Sequence, residues 1–332
     1  MSRFTRSLIP VAQRHTAADL NDALDLGFGD TASKRSGFLI MLTLSALIAI
    51  AGVLTDSTAT VIGAMIIAPL GTPILGIAWG IVSGRLSLVI RSILWVASGL
   101  VIVVGLGLLF AVFVATPESL ATNSQVTGRT SPSLMDLVAA LATGFAGGFA
   151  MCRRDLSSVL PGVAIAISLV PPLGVVGVCA GQGLWNDALG ALLLFLSNVL
   201  ALVIAGTIVF TMAGYARDPQ SSREANRRRA YIVVTVLAVV VALPLAVNSV
   251  VSVALARWSV GIQEATSSWL DASDGARVYD VTWSGLTATV VVTTADGDIP
   301  SLGDLQSALD ARVPSYVGVV LDVGQGVEHE VR

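Results

Sequence analysis

The chain is poor in nearly everything that usually carries chemistry. It holds two cysteines, two histidines and one lysine in 332 residues, and charged residues make up only 12%. Cys152 and Cys179 sit at the ends of apolar runs without ligand spacing, so neither a disulfide framework nor a zinc site is expected. His15 and His329 lie in the polar tails, which leaves metal coordination and nucleophilic triads almost no raw material in the apolar part. No cofactor and no nucleic-acid partner are expected, and the want of clustered nucleophile, base or ligand residues argues against an enzyme. No Asp, Glu, Lys or Arg lies deep in an apolar run, which argues against a proton relay or a voltage sensor. Nothing resembles a cleaved signal peptide, because about thirty-six polar and charged residues precede the first apolar run.

What fills the chain instead is hydrocarbon. Hydrophobic residues reach 54% and mean hydropathy is +0.82, against about 25% charged residues in a soluble domain. The expectation is an all-α polytopic membrane protein in a lipid bilayer. Its seven spans read Gly37–Leu54, Thr58–Ile81, Leu88–Ala115, Leu134–Met151, Ser157–Ala180, Ala188–Tyr215 and Ala230–Ala256. The third, at about 28 residues and 1.5 Å each, exceeds a core of roughly 30 Å and should tilt or protrude. In the fourth, Gly144, Gly147 and Gly148 allow a neighbouring helix to approach closely. Residues 1–36 read as a cytoplasmic arm, either a juxtamembrane helix or a loose segment, weakly amphipathic over Ala17–Leu26, and Thr116–Ser133 as a polar loop.

The net charge of -3 says little, since a bilayer protein sorts its charges by side. With the N-terminus cytoplasmic, fourteen of the nineteen basic residues fall inside, including five arginines between Arg217 and Arg229. That places residues 257–332 outside the cell membrane. Composition there turns soluble: Arg257–Leu270 reads as an amphipathic helix, and Val278–Thr282 and Leu286–Thr293 alternate like strands. Ser301 and Asp304 resemble a capping box opening a helix to about Val313, before a last strand Val317–Val323. This small C-terminal α+β (β-β-α-β) domain is half of a ferredoxin-like arrangement and too small to be comfortable alone, so it is expected to pack on a neighbour in a homo-oligomer.

Sliding the chain on itself by 99 residues aligns Asp56 with Asp155, Gly63 with Gly162, Leu70 with Leu169, Pro73 with Pro172 and Gly84 with Gly183. The register superposes residues 37–115 on 134–215, two three-helix repeats, with 230–256 as an extra helix. An odd number of spans per unit makes the second copy inverted, and inverted repeats with broken helices in matching places are a transporter signature.

The breaks are the segments Ala68-Pro69-Leu70-Gly71-Thr72-Pro73 and Leu169-Val170-Pro171-Pro172. Thr72 before Pro73 reads as a helix start, the threonine capping and the proline in the first turn. Two half-helix N-termini facing each other near mid-membrane would each carry about half a positive charge and attract an anion. Opposing carbonyls of Ala68–Leu70 and Ile167–Leu169 would instead take a cation. A third possibility is that the prolines only kink two continuous helices, with freed carbonyls satisfied by Ser168 or Thr72. Candidate solute-binding residues are thus Gly71, Thr72, Pro73, Ser168, Pro171, Pro172 and Asn198; for Asn198 and Asn248 simple interhelical hydrogen bonding is the competing reading. Asp56, Arg153, Arg154 and Asp155 flank the broken segments and could form mouths or gates. Equally, the two aspartates could cap the helices that follow, Asp155 could pair Arg153 or Arg154, and the arginines could merely fix topology.

The segment Val61 to Ile74, together with Ser157 to Pro172, resembles the family catalogued as domain of unknown function 389, over roughly Lys34 to Tyr215. The resemblance implies a prokaryotic multi-pass membrane protein and assigns no role to any residue. Many relatives carry a soluble domain before the membrane part, for which Met1–Ser36 is too short. The function expected is a transporter or channel for a small, anionic solute; the alternative is a non-transporting scaffold or sensor whose C-terminal domain binds a partner.

Overall fold

Proline decides where the second apolar run breaks. A residue before proline is driven out of the α region, and Ala68, before Pro69, adopts φ −68° and ψ 121° and ends its helix. A computed structural model describes residues 9–114, 117–130, 134–159, 169–217, 257–270, 277–284, 287–294, 300–310 and 312–325, with single positions 232, 235, 239, 250, 254 and 255. The chain divides into two compact units, Met1–Ala246 and Val247–Arg332.

In the first unit α1 (Ala17–Leu24), α2 (Thr31–Leu54), α3 (Thr58–Ile67), α4 (Gly71–Val82) and α5 (Leu86–Phe110) come first. They are followed by α6 (Glu118–Ala121), α7 (Ser124–Thr130), α8 (Leu134–Cys152), α9 (Val170–Gly181) and α10 (Trp185–Met212). Among the described residues four helices are long and apolar enough to cross a membrane, namely Thr31–Leu54, Leu86–Phe113, Met135–Cys152 and Trp185–Met212. The α3–α4 pair, bent by 47°, makes a fifth if taken as one span. Ile40, Leu94, Val101, Leu109 and Val138 stand exposed on these helices, where hydrocarbon rather than water suits them. Of the expected seventh span, only positions 232, 235, 239, 250, 254 and 255 are described, and they are helical. Residues 160–168 of the expected fifth span lie outside the description.

Over its described residues, from Ile9 on, the arm follows the helix alternative. Thr16 and Asp19 form a capping box at the start of α1, and its Leu20 and Leu24 are buried. Asp30 accepts from the Ser33 N–H at 3.1 Å, so the first apolar helix starts at Thr31 rather than Gly37. The expected polar loop also folds, into α6 and α7.

The two short apolar helices agree closely. Both α4 and α9 have 12 residues, and Val170 follows Gly71 by 99 positions. Both are closed by a glycine in the left-handed region, Gly84 at φ 70° and Gly183 at φ 76°. The closing bonds match as well: Gly84 N–H to Ile81 O and Gly183 N–H to Ala180 O are each 3.1 Å, and Arg85 to Gly80 (2.8 Å) corresponds to Leu184 to Cys179 (2.9 Å). Helix α4 packs against α5 and α10, and α9 packs against the same two helices. Where α5 meets α9, a Cβ on Gly107 would stand 2.8 Å from the Gly177 Cα. Where α10 meets α4, one on Gly206 would stand 3.1 Å from the Ala78 Cβ. Gly144 and Gly148 of α8 give α10 a similarly close approach.

In the second unit α11 (residues 257–270) precedes β1 (Arg277–Ser284), β2 (Thr287–Thr294), α12 (Leu302–Asp310) and β3 (Gly318–Gln325). The sheet order is β1-β2-β3, with β1 antiparallel and β3 parallel to β2. Ile262 and Trp269 of α11 and Leu305 of α12 close over Ala288, Val290 and Val292 of β2.

Gly177→Ala tests the α5–α9 crossing, since its Cβ would fall 2.4 Å from the Val104 carbonyl oxygen and 2.7 Å from the Gly107 Cα. Thermal unfolding in detergent is expected to show a loss of about 1–3 kcal/mol, the usual cost of overpacking. Gly63→Ala, with no heavy atom within 4 Å of the added group, is expected to leave stability level or raise it.

Candidate functional site

At the first break the backbone satisfies itself by an irregular route. Helix α3 leaves its last carbonyls without intrahelical donors, and the Ser45 hydroxyl of α2 donates to one of them, Ala64 O, at 2.8 Å. Helix α4 then opens on Leu70, whose side chain gives no cap. Thr72 therefore does not cap, contrary to expectation: it lies in the first turn, and its N–H donates to Pro69 O at 3.2 Å. Among the described residues Ser45, and not Thr72, is the neighbour whose hydroxyl serves a freed carbonyl, and the expectation for Ser168 lies outside them.

The second helix start is built the same way. Leu169 precedes α9 without a side-chain cap, and Pro171 and Pro172 occupy its first turn. Pro73 and Pro172 are both the third residue of their helices. Prolines therefore fill three of the six leading positions and offer no N–H there, so these ends keep a helix dipole but few donors. Leu70, Ile74, Leu169, Val170 and Leu173 belong to one apolar cluster, which brings the two starts into the same part of the bundle. Pro73, Pro171 and Pro172 are buried and Gly71 and Thr72 half-buried. Asn198 of α10 is 6% exposed, next to Ser197, whose hydroxyl turns back onto Leu194 O at 2.8 Å. An apolar cleft of about 190 Å³ lies close by, between Ile77 of α4, Val96 and Leu100 of α5, and Phe195 and Val199 of α10.

The flanking charges fall into separate clusters. Asp56, at φ 50°, does not cap α3; Ser57 does. Its carboxylate accepts the Ser124 hydroxyl at 2.7 Å and the Gln125 N–H at 3.2 Å, which ties the end of α2 to α7. These bonds hold the Asp56 carboxyl below its ordinary range, the Ser124 hydroxyl contributing most. Asp155 pairs Arg153, whose Nε lies 3.0 Å away, and Arg154 reaches Asp19 of the arm at 3.0 Å. A hydrogen bond from Arg153 is likewise the main cause of the lowered Asp155 carboxyl.

The sequence reading misses a third cluster. Asp25, 2% exposed, takes Arg91 at 3.1 Å and Arg85 at 3.6 Å. Asn21 Oδ1 accepts both the Trp79 indole N–H of α4 at 2.6 Å and Arg85 at 2.5 Å. Arg91 lies six residues inside an apolar helix, a position that demands a counter-charge; that was the available signal.

Long apolar helices with interrupted partners define a membrane-associated protein. The family model for Domain of unknown function (DUF389) matches residues 65–204, so the resemblance carried by Val61–Ile74 holds over that stretch. An uncharacterized protein of Methanocaldococcus jannaschii, MJ0678, is 34% identical over 185 residues, 56% of this chain and 57% of that protein's own length. No solved structure matches the chain.

Removing Asp25 leaves two arginines without their acid. Asp25→Ala should cost about 2–3 kcal/mol in thermal unfolding, less than a fully buried pair because both arginines keep some solvent. The Asp56 carboxyl is depressed, so its contribution is complete above the ordinary carboxylate value of about 3.9 and is lost as pH falls through the lower folded value. Hydrogen exchange at Gln125 should therefore accelerate as pH drops below about 3.9, beyond the intrinsic trend, and Asp56→Asn should remove that extra dependence.

Proposed function

We propose that the protein is a membrane transporter or channel for a small, anionic solute, built on two inverted three-helix repeats that meet at α4 and α9. The observation that carries this reading is the agreement of the two short helices: equal length, a spacing of 99 residues, and a proline in the third position of each. Matching close contacts, Gly107 on Gly177 and Gly206 on Ala78, support the same register. The arginine distribution supports a cytoplasmic N-terminus and seven spans, with residues 257–332 on the far side of a prokaryotic cell membrane.

The chemistry follows from what the helix starts retain. Their dipoles leave partial positive charge near Gly71, Thr72 and Val170, and prolines deprive them of the row of N–H groups that would hold an anion tightly. A site that attracts without gripping suits passage, because a conducting path must release what it binds. Asp56 and the Arg153–Asp155 pair stand at the two mouths on this reading. The scaffold or sensor alternative draws on one observation, the separate core of the second unit.

Flux of halide, phosphate and small carboxylates from liposomes containing the full chain decides between them. Gly71→Leu with Pro73→Ala should reduce flux at least tenfold while the helical signal is retained. Absence of flux for all of these solutes, with a partner captured by residues 257–332, would establish the scaffold reading.

A further inference from the structure

Strand β3 is the last described strand of the second unit, and no described strand pairs with its outer side. Among the described residues β3 pairs only with β2, so one row of its N–H and C=O groups faces outward over eight residues. Natural sheets blunt such edges with bulges, lysines or prolines. The opposite edge, β1, follows that rule, with a register shift between Val278 and Asp280 and a charge on either side of it. Strand β3 has no bulge in its register, no lysine and no proline, and its single charge is Asp322.

The layer beneath this edge is also unfinished. On the inner face of β2, Ala288, Val290 and Val292 are 0% exposed. Their neighbours on β3, Val319 and Leu321, are only half-buried, and Val323 is 36% exposed. A groove of about 650 Å³ runs between these residues and α12, walled by Leu302, Leu305 and Leu309. Val320 on the other face and Tyr316 just before the strand are 52% and 65% exposed.

We propose that the β3 edge is the seam of a homodimer, in which β3 pairs antiparallel with β3 of a second copy to make one six-stranded sheet. A two-fold axis perpendicular to the sheet brings both inner faces to the same side, so α12 of each copy flanks a shared floor of Val319, Leu321 and Val323. The occupant is a second copy because an antiparallel strand edge is complementary to itself about a two-fold axis: the unpaired row of one β3 meets the same row of the other, and the two half-covered floors become continuous. An eight-residue edge is about 27 Å long. Over a sheet-plus-helix depth of about 20 Å it presents on the order of 500 Å², near the roughly 600 Å² per partner of the smaller specific interfaces.

The test uses the full chain in detergent micelles. Light scattering should give a dimer, and Val320→Lys with Val323→Lys, which places four lysines across the seam, should weaken it at least tenfold without lowering the thermal transition. Single cysteines at Val320 and at Asp322 should be joined between copies by a short bismaleimide. A cysteine at Tyr279 on β1 should not, being about five strand spacings, some 24 Å, from its mate. Native Cys152 and Cys179 are buried and serve as the background control. A monomeric wild type overturns the proposal, as does a dimer that survives the lysines or cross-links as readily at 279. If the lysine variant fails to fold, the cross-linking pattern alone decides.

Discussion

A backbone break inside an apolar bundle has to find every freed donor and acceptor a partner, and this requirement governs the first unit. Helices α4 and α9, with 12 residues each, are about 18 Å long and cannot cross a hydrocarbon core of roughly 30 Å alone. Their starts therefore lie inside protein, in one apolar cluster. Proline reduces the difficulty at both places, since a residue with no N–H in the first turn removes a donor that would otherwise need an acceptor. What remains is met locally: Pro69 O takes the Thr72 N–H and Ser45 donates to Ala64 O.

Helices that short also need close neighbours. Every residue of α4 from Pro73 to Val82, and of α9 from Val170 to Cys179, is buried. Without a hydrophobic drive between helices in lipid, tight contact depends on small residues. The Gly107–Gly177 crossing allows backbone to touch backbone, and the Gly206–Ala78 crossing is its looser counterpart. The same pair of long helices, α5 and α10, thus holds both short ones.

The sequence made the apolar helices, the break at Pro69 and the β-β-α-β order legible, because proline, hydrophobic length and period-two alternation act within a few residues of themselves. It places Gly71–Pro73 and Pro171–Pro172 correctly at helix starts yet misassigns the cap, since Thr72 has the right chemistry two residues too late: the cap position is Leu70 and α4 already begins at Gly71. The cap reading of Asp56 fails for a similar reason. Its neighbour Ser57 caps α3, and its own partners, Ser124 and Gln125, are almost seventy residues away. The Asp25 cluster joins the arm to α4 and α5 across 58 to 66 residues, and no local pattern announces such a contact.

The two short helices are nearly equivalent, but what holds their far ends is not. The end of α4 is gripped by the arm: Trp79 donates to Asn21, and Gly76 faces Leu24 O, with room for no side chain. The end of α9 is gripped within the membrane part, where Gln182 Nε2 donates to Ala111 O at 2.6 Å and Gly181 rests on Ala111. One grip depends on a solvent-facing segment rich in acids and arginines, the other on a short link at the end of α5. Any rearrangement that moved both helices alike would break two chemically different contacts, so the two ends would yield at different free energies.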